Sequence, residues 1–147
     1  MTDNTISLAG TETHYVELGG SGPPLVLLHG ITDSLESYLP AAAKLTQSAR
    51  VFAMDSRGHG RSAWTRDHYR VRDFAADVRL FLDQVVGEPA VLAGHSLGGL
   101  VAGYVASRSG AKLRGVFLED PPLYRGRMPA LEETGFYAFF VDLRTHQ

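Results

Sequence analysis

Residues 90–99 read Ala90-Val91-Leu92-Ala93-Gly94-His95-Ser96-Leu97-Gly98-Gly99, and the rest of the chain is organised around them. The short apolar run after Pro89 is typical of a strand buried on both faces, and the glycines after it predict a very tight turn into a helix. Ser96 would then take a positive φ that points its hydroxyl out of the turn. Because the residues two positions before and after such a serine crowd together, only glycine fits at positions 94 and 98.

This arrangement makes Ser96 a candidate nucleophile. The helix that follows would direct its free N–H groups and the positive end of its dipole at the serine, which would stabilise negative charge formed there. A G-x-S-x-G pattern also occurs by chance in plain glycine-rich turns. The strand before it and the helix after it favour the catalytic interpretation, a nucleophile elbow.

Composition excludes several classes of protein. The 147 residues are 44% hydrophobic and 20% charged, which suits one domain with its own core. The net charge of −2, without a long run of either sign, argues against a nucleic-acid or anionic membrane surface. The absence of cysteine excludes disulfides, thiolate zinc sites and a cysteine nucleophile. A polar, acidic start and the lack of a long apolar stretch predict a cytoplasmic protein without a membrane span.

Apolar strands alternate with helical patterns along the chain. Strands are predicted at residues 6–8, 13–18, 25–28, 51–54, 91–93 and 113–118. Helices are predicted from a cap at Asp33 or Ser34 to about Leu45, and at about 71–85, 97–107 and 130–144. This alternation predicts an α/β fold with a mostly parallel sheet and helices on both faces.

Three motifs each follow one of these strands: His29-Gly30, Asp55-x-Arg57-Gly58-x-Gly60-x-Ser62, and Gly94-x-Ser96-x-Gly98. In this order, to about Pro122, they resemble the α/β-hydrolase superfamily in its esterase, lipase and cofactor-free perhydrolase branch. The resemblance implies that Ser96 is the nucleophile, and that the oxyanion hole uses the backbone N–H groups of Ile31 and Leu97. It also implies no cofactor and no metal, with supporting roles for His29, Gly30, Gly94, His95 and Gly98.

The triad of that superfamily runs serine, acid, histidine, and this chain departs from it. Only His146 follows Ser96, and it comes after a helical pattern rather than after further strands. We therefore expect the N-terminal portion of the core at 1–120, without its C-terminal strands, and the start of a cap or lid region at 121–147. The histidine and the acid would come from sequence or a chain not present here. Asp120 is an alternative acid, although a plain polar strand end is favoured there.

The other histidines have structural explanations. His29, His59 and His95 are expected to order loops or pack near the turn, Arg57 is expected to pair with Asp55, and His14 and His68 are expected at the surface. A zinc site at the sheet edge is disfavoured, since no carboxylate–histidine pair has ligand spacing.

Three functions remain open. The first is an esterase-type serine hydrolase acting on a small ester or related acyl substrate. The second is a truncated, non-catalytic hydrolase that self-associates or binds a partner through its open sheet edge, either as a homodimer or with a second chain that completes the fold. The third is a cofactor-free perhydrolase or carbon–carbon bond hydrolase.

Overall fold

A six-stranded sheet forms the centre of the molecule, in the spatial order β1-β2-β4-β3-β5-β6. The computed structural model describes residues 1–108 and 113–123. The strands are β1 Thr2–Leu8, β2 Thr11–Gly19, β3 Pro24–Leu28, β4 Arg50–Met54, β5 Ala90–His95 and β6 Leu113–Glu119. The pairs β1–β2 and β2–β4 are antiparallel, whereas β4–β3, β3–β5 and β5–β6 are parallel. The mostly parallel sheet predicted from the sequence is confirmed.

The helices begin and end close to the predicted positions, but two segments differ in type from an α-helix. They are a 3-10 helix Leu35–Ala41 that continues into α1 Ala42–Leu45, then α2 Val71–Phe81 with a π-helical turn Leu82–Val86, and α3 Leu97–Ala106. The side chain of Ser34 caps the first helix by accepting a hydrogen bond from the Glu36 N–H. That helix is mostly 3-10 and contains Pro40, which has no N–H to donate. The predicted helix at 130–144 lies outside the described residues.

Two apolar clusters, one on each face of the sheet, hold these layers together. The larger cluster joins β3, β4 and β5 to the inward faces of α2 and α3, and includes Phe52, Phe81 and Leu92. The smaller cluster packs Leu35, with Tyr38 and Leu45 beside it, against the opposite face. The expectation of helices on both faces is therefore confirmed. None of the helices among residues 1–108 and 113–123 has the length and hydropathy needed to cross a membrane.

Two sequence-based expectations about polar residues are wrong. His14 is buried rather than at the surface, with Nδ1 2.7 Å from an Asp55 carboxylate oxygen and Nε2 2.9 Å from Asp3. Arg57 pairs with Asp77 on α2, at 2.6 Å in both hydrogen bonds, and not with Asp55. Antiparallel pairing of β2 with β4 places His14 beside Asp55, where the Asp55 N–H donates to the His14 carbonyl at 2.9 Å. Such a contact between distant segments depends on strand order.

We expect the His14→Ala substitution to destabilise the fold by about 2 kcal/mol, because it removes a hydrogen-bonding partner from the buried Asp55 carboxylate. Asp3→Ala is the matched control, since it removes the exposed partner of the same ring. Urea unfolding should give a clearly smaller loss for the control. Equal losses of unfolding free energy in the two variants would show that His14 does not stabilise the fold through its contact with the buried Asp55.

Candidate active site

The backbone turns sharply at Ser96, between the end of β5 and the start of α3. Ser96 has φ 49° and ψ −111°, which confirms the predicted positive φ. Its N–H donates to the Glu119 carbonyl of β6 at 2.9 Å, and its carbonyl accepts from the Leu100 N–H at 3.0 Å. The side chain of Ser96 does not cap the helix and is partly exposed. The backbone hydrogen bonds of Ser96 therefore hold the turn.

The glycines around Ser96 are required by close backbone contacts. A Cβ atom at Gly94 would overlap the Gly98 carbonyl, as expected for residues that flank such a turn. A Cβ atom at Gly98 would in turn overlap the Leu28 carbonyl at the end of β3. The sequence predicts the first contact but not the second, which depends on β3 lying next to β5.

The loop after β3 passes directly beside the turn. A Cβ atom at Gly30 would lie 2.9 Å from His95 Nδ1 and 3.5 Å from Ser96 Cβ, so these side chains border the loop. Ile31 follows and is 45% exposed, while Leu97 is the first residue of α3. The two segments whose N–H groups are predicted to form the oxyanion hole therefore adjoin Ser96 from different elements.

The His29 ring connects the same loop to the segment after β4 through hydrogen bonds. Its ring is buried, with Nδ1 2.7 Å from the Gly30 carbonyl, and Nε2 accepts the Ser56 N–H at 3.0 Å. Because Nε2 accepts, we assign the proton to Nδ1, which donates to Gly30. Burial lowers the pKa of His29 from its ordinary value of 6.5, so the neutral ring is favoured. This geometry fits the loop-ordering role predicted for His29.

We expect stability to fall with pH below about 6.5, in part through His29. Below this pH the unfolded chain binds a proton at His29 that the folded protein does not bind. The free energy of unfolding therefore falls by up to about 1.4 kcal/mol for each pH unit, until the pH reaches the lowered pKa of His29 in the folded protein. His29→Gln keeps an acceptor but cannot titrate. Its unfolding free energy between pH 5 and 6.5 should have a shallower slope than that of the wild type. Equal slopes of unfolding free energy against pH in the two proteins would contradict a lowered pKa of His29 in the folded state.

The remaining candidates lie at the same edge of the sheet or outside the described residues. His95 is exposed and pairs in register with Glu119. Asp120 is exposed just beyond β6, with φ 44°. His59 hydrogen-bonds its Nδ1 to the Arg57 carbonyl at 2.9 Å within its own loop. His146 lies outside the described residues, and no group of three or more histidine or acidic side chains within them could hold a metal ion.

Sequence reasoning did not single out Tyr38, whose hydroxyl donates to the Leu28 carbonyl at 2.9 Å, next to the loop of Gly30. The residue sits within a helix and has the spacing of an ordinary core aromatic. Only the fold brings its hydroxyl to the end of β3.

Comparison with known proteins gives a consistent result. The sequence profile of a family described as alpha/beta hydrolase fold matches residues 23–143. A putative non-heme haloperoxidase of Mycobacterium phage D29 is 33% identical over 121 residues, which cover 82% of this chain and 44% of the relative.

Solved structures similar to this chain were also found. An N-formylmaleamic acid deformylase from Pseudomonas putida has a TM-score of 0.83 at 26% identity, over 97% of this chain and 56% of that one. An enol-lactonase from Burkholderia xenovorans has a TM-score of 0.73 at 30% identity, over 77% and 45%. The chain spans between 25% and 44% of the length of the curated relatives it matches.

Proposed function

This chain belongs to the α/β-hydrolase family, and on that premise we propose that it carries the nucleophile of an esterase-type serine hydrolase. The observation that supports this most is the positive φ of Ser96 between a buried strand and a helix. A residue other than glycine adopts this conformation at an energetic cost, and such strain is concentrated at functional sites. The similarity to an enol-lactonase favours a small ester or related acyl substrate.

In the proposed reaction the Ser96 oxygen bonds to the acyl carbon while its proton passes to a general base. The carbonyl oxygen becomes an oxyanion that the N–H groups of Ile31 and Leu97 stabilise, each by about 3 kcal/mol. Loss of the alcohol leaves an acyl-serine, and water then releases the acid and restores the hydroxyl. The histidine base and its acid come from sequence or a chain outside the one described here.

The test uses a fluorophosphonate, which bonds its phosphorus to an activated serine oxygen and loses fluoride. With the sequence or chain that supplies the histidine base present, we expect labelling of the folded protein that is lost in Ser96→Ala and retained in Ser107→Ala, which alters an exposed serine just after the same helix. Labelling that persists in Ser96→Ala would contradict the proposal. Absence of labelling in the folded wild type would favour the non-catalytic alternative.

The exposed apolar residues of β6 favour a second candidate, self-association. β6 is the last strand of the described sheet, and Val116 and Phe117 on it are 39% and 62% exposed. An edge strand of this kind pairs readily with another chain. Native mass spectrometry should detect a dimer that Val116→Lys weakens, whereas a monomer at all concentrations would contradict self-association.

The haloperoxidase relative supports a third candidate, cofactor-free perhydrolysis at the same serine. The two reactions differ only in the acceptor of the acyl group, which is hydrogen peroxide instead of water. Formation of a peracid and the free alcohol from an ester and hydrogen peroxide, lost in Ser96→Ala, would favour perhydrolysis over ester hydrolysis.

A further inference from the structure

The loop between β3 and the 3-10 helix contains a second strained residue close to the Ser96 turn. Thr32 has φ 64°, in the left-handed region that a β-branched residue adopts only at an energetic cost. Five non-glycine residues in the described part of the chain have a positive φ. Three of them, Thr32, Ser96 and Asp120, come shortly after the carboxyl ends of β3, β5 and β6. Because these strands are parallel neighbours, the strain is concentrated at the sheet edge that carries the candidate nucleophile.

Both ends of this loop are held by the surrounding structure. At its start, the buried ring of His29 hydrogen-bonds the Gly30 carbonyl and the Ser56 N–H. At its end, the Leu35 N–H donates to the buried Asp55 carboxylate at 2.8 Å, and the Leu35 side chain is buried as well. The backbone between these two points must therefore fit a fixed span.

The middle of the loop lacks such support. Among residues 1–108 and 113–123, neither the Ile31 N–H nor the Thr32 N–H has a hydrogen-bond partner. The Ile31 N–H is therefore available to an oxyanion, but no acceptor fixes its direction before a substrate binds. Its direction depends instead on the backbone angles of the loop residues, which are the freely rotating angles of the chain.

We propose that Thr32 is a positioning residue whose restricted, left-handed backbone holds the Ile31 N–H toward the oxyanion. Glycine adopts this conformation freely, and glycines occupy seven positions of positive φ within the described ranges. At position 32 a glycine would relieve the strain, but it would also let the loop take other backbone angles and let the Ile31 N–H turn away. Threonine narrows those angles at the expense of stability, as strained residues at functional sites do. This inference rests on the proposed function, because it takes Ile31 as an oxyanion donor.

The test compares Thr32→Gly with Ala9→Gly, which relieves a φ of 50° in the turn between β1 and β2. Both variants should raise the folding equilibrium constant about fivefold, because relief of the left-handed strain outweighs the larger entropy that glycine loses on folding. The limiting rate of fluorophosphonate labelling at saturation, with the histidine base supplied, should fall about tenfold in Thr32→Gly alone, with an unchanged apparent binding constant. A Thr32→Gly protein that labels at the wild-type limiting rate would overturn the inference.

Thr32→Ala separates the backbone of Thr32 from its side chain. Alanine keeps the Cβ atom, which restricts the backbone, and removes the hydroxyl and methyl groups. We expect Thr32→Ala to label at close to the wild-type limiting rate. A tenfold loss in this variant as well would show that the side chain itself contacts the reagent, and would overturn the positioning role.

The mobility of the Ile31 N–H, measured by NMR, distinguishes failure of this inference from failure of the proposed function. Its order parameter should fall from about 0.85, typical of rigid backbone, to below about 0.6 in Thr32→Gly, and should not change in Ala9→Gly. An unchanged order parameter in Thr32→Gly would overturn the inference. A lower order parameter in a protein whose wild type is never labelled would overturn the proposed function, and the positioning role with it, while Thr32 would still be shown to order Ile31.

Discussion

Replacing Gly98 with alanine should destabilise the protein by about 3 kcal/mol or more, although glycine-to-alanine changes within helices normally stabilise. The added methyl group would overlap the Leu28 carbonyl, which belongs to the backbone of a central strand and cannot rotate away. Either α3 or β3 must shift, and overpacking of this kind costs about 1–3 kcal/mol even where side chains can adjust.

Gly103→Ala is the matched control on the same helix. A Cβ atom there would lie 3.8 Å from Leu118 Cδ1, an ordinary contact. The better helix propensity of alanine should then stabilise the protein by up to about 1 kcal/mol. Thermal and urea unfolding of both variants would measure the difference. A Gly98→Ala protein as stable as the wild type would contradict the close approach of helix and strand.

The second large effect is expected at the buried Arg57–Asp77 pair. Both side chains are almost fully buried, and two parallel hydrogen bonds of 2.6 Å join them. The Asp77 carboxylate raises the pKa of Arg57, which therefore stays charged. Arg57→Met should destabilise by about 3–5 kcal/mol, because it leaves a buried carboxylate without its partner.

The double variant Arg57→Met, Asp77→Leu tests the reason for that loss. Removing both charges should recover most of the stability, since a well-packed apolar pair can replace a buried ion pair at little cost. The Arg57 guanidinium also donates to the His68 carbonyl at 3.1 Å, so recovery should be incomplete. A double variant no more stable than Arg57→Met would show that the unpaired Asp77 carboxylate does not cause the instability of Arg57→Met.

The features predicted from the sequence are those with a local cause. Crowding around a serine at positive φ requires glycines at fixed offsets, so Gly94 and Gly98 identify the turn at Ser96 without any tertiary information. Alternation of apolar strands with helical patterns likewise predicts the parallel sheet, since each strand must be covered on both faces.

The features that escaped prediction all depend on how distant elements pack together. Whether Arg57 pairs with the nearby Asp55 or with Asp77 is decided by where α2 packs, and local spacing favours the wrong partner. His14 is buried because β2 lies next to β4, and alternation within β2 does not predict its contact with Asp55. Tyr38 reaches the Leu28 carbonyl only because its helix packs against the sheet beside β3, which the sequence pattern alone does not predict.

The central claim, that the elbow activates the group at position 96, has a direct test that needs no general base. The chain contains no cysteine, so Ser96→Cys introduces a single thiol, and Ser107→Cys places one just beyond the opposite end of α3 as a control. A helix N-terminus lowers the pKa of a thiol from its ordinary value of about 8.5. We predict that the rate of alkylation by iodoacetamide, measured against pH, reports a pKa below that value for Ser96→Cys and at or above it for Ser107→Cys. A thiol at position 96 that reacts only after unfolding, or that titrates no lower than the control, would contradict the account.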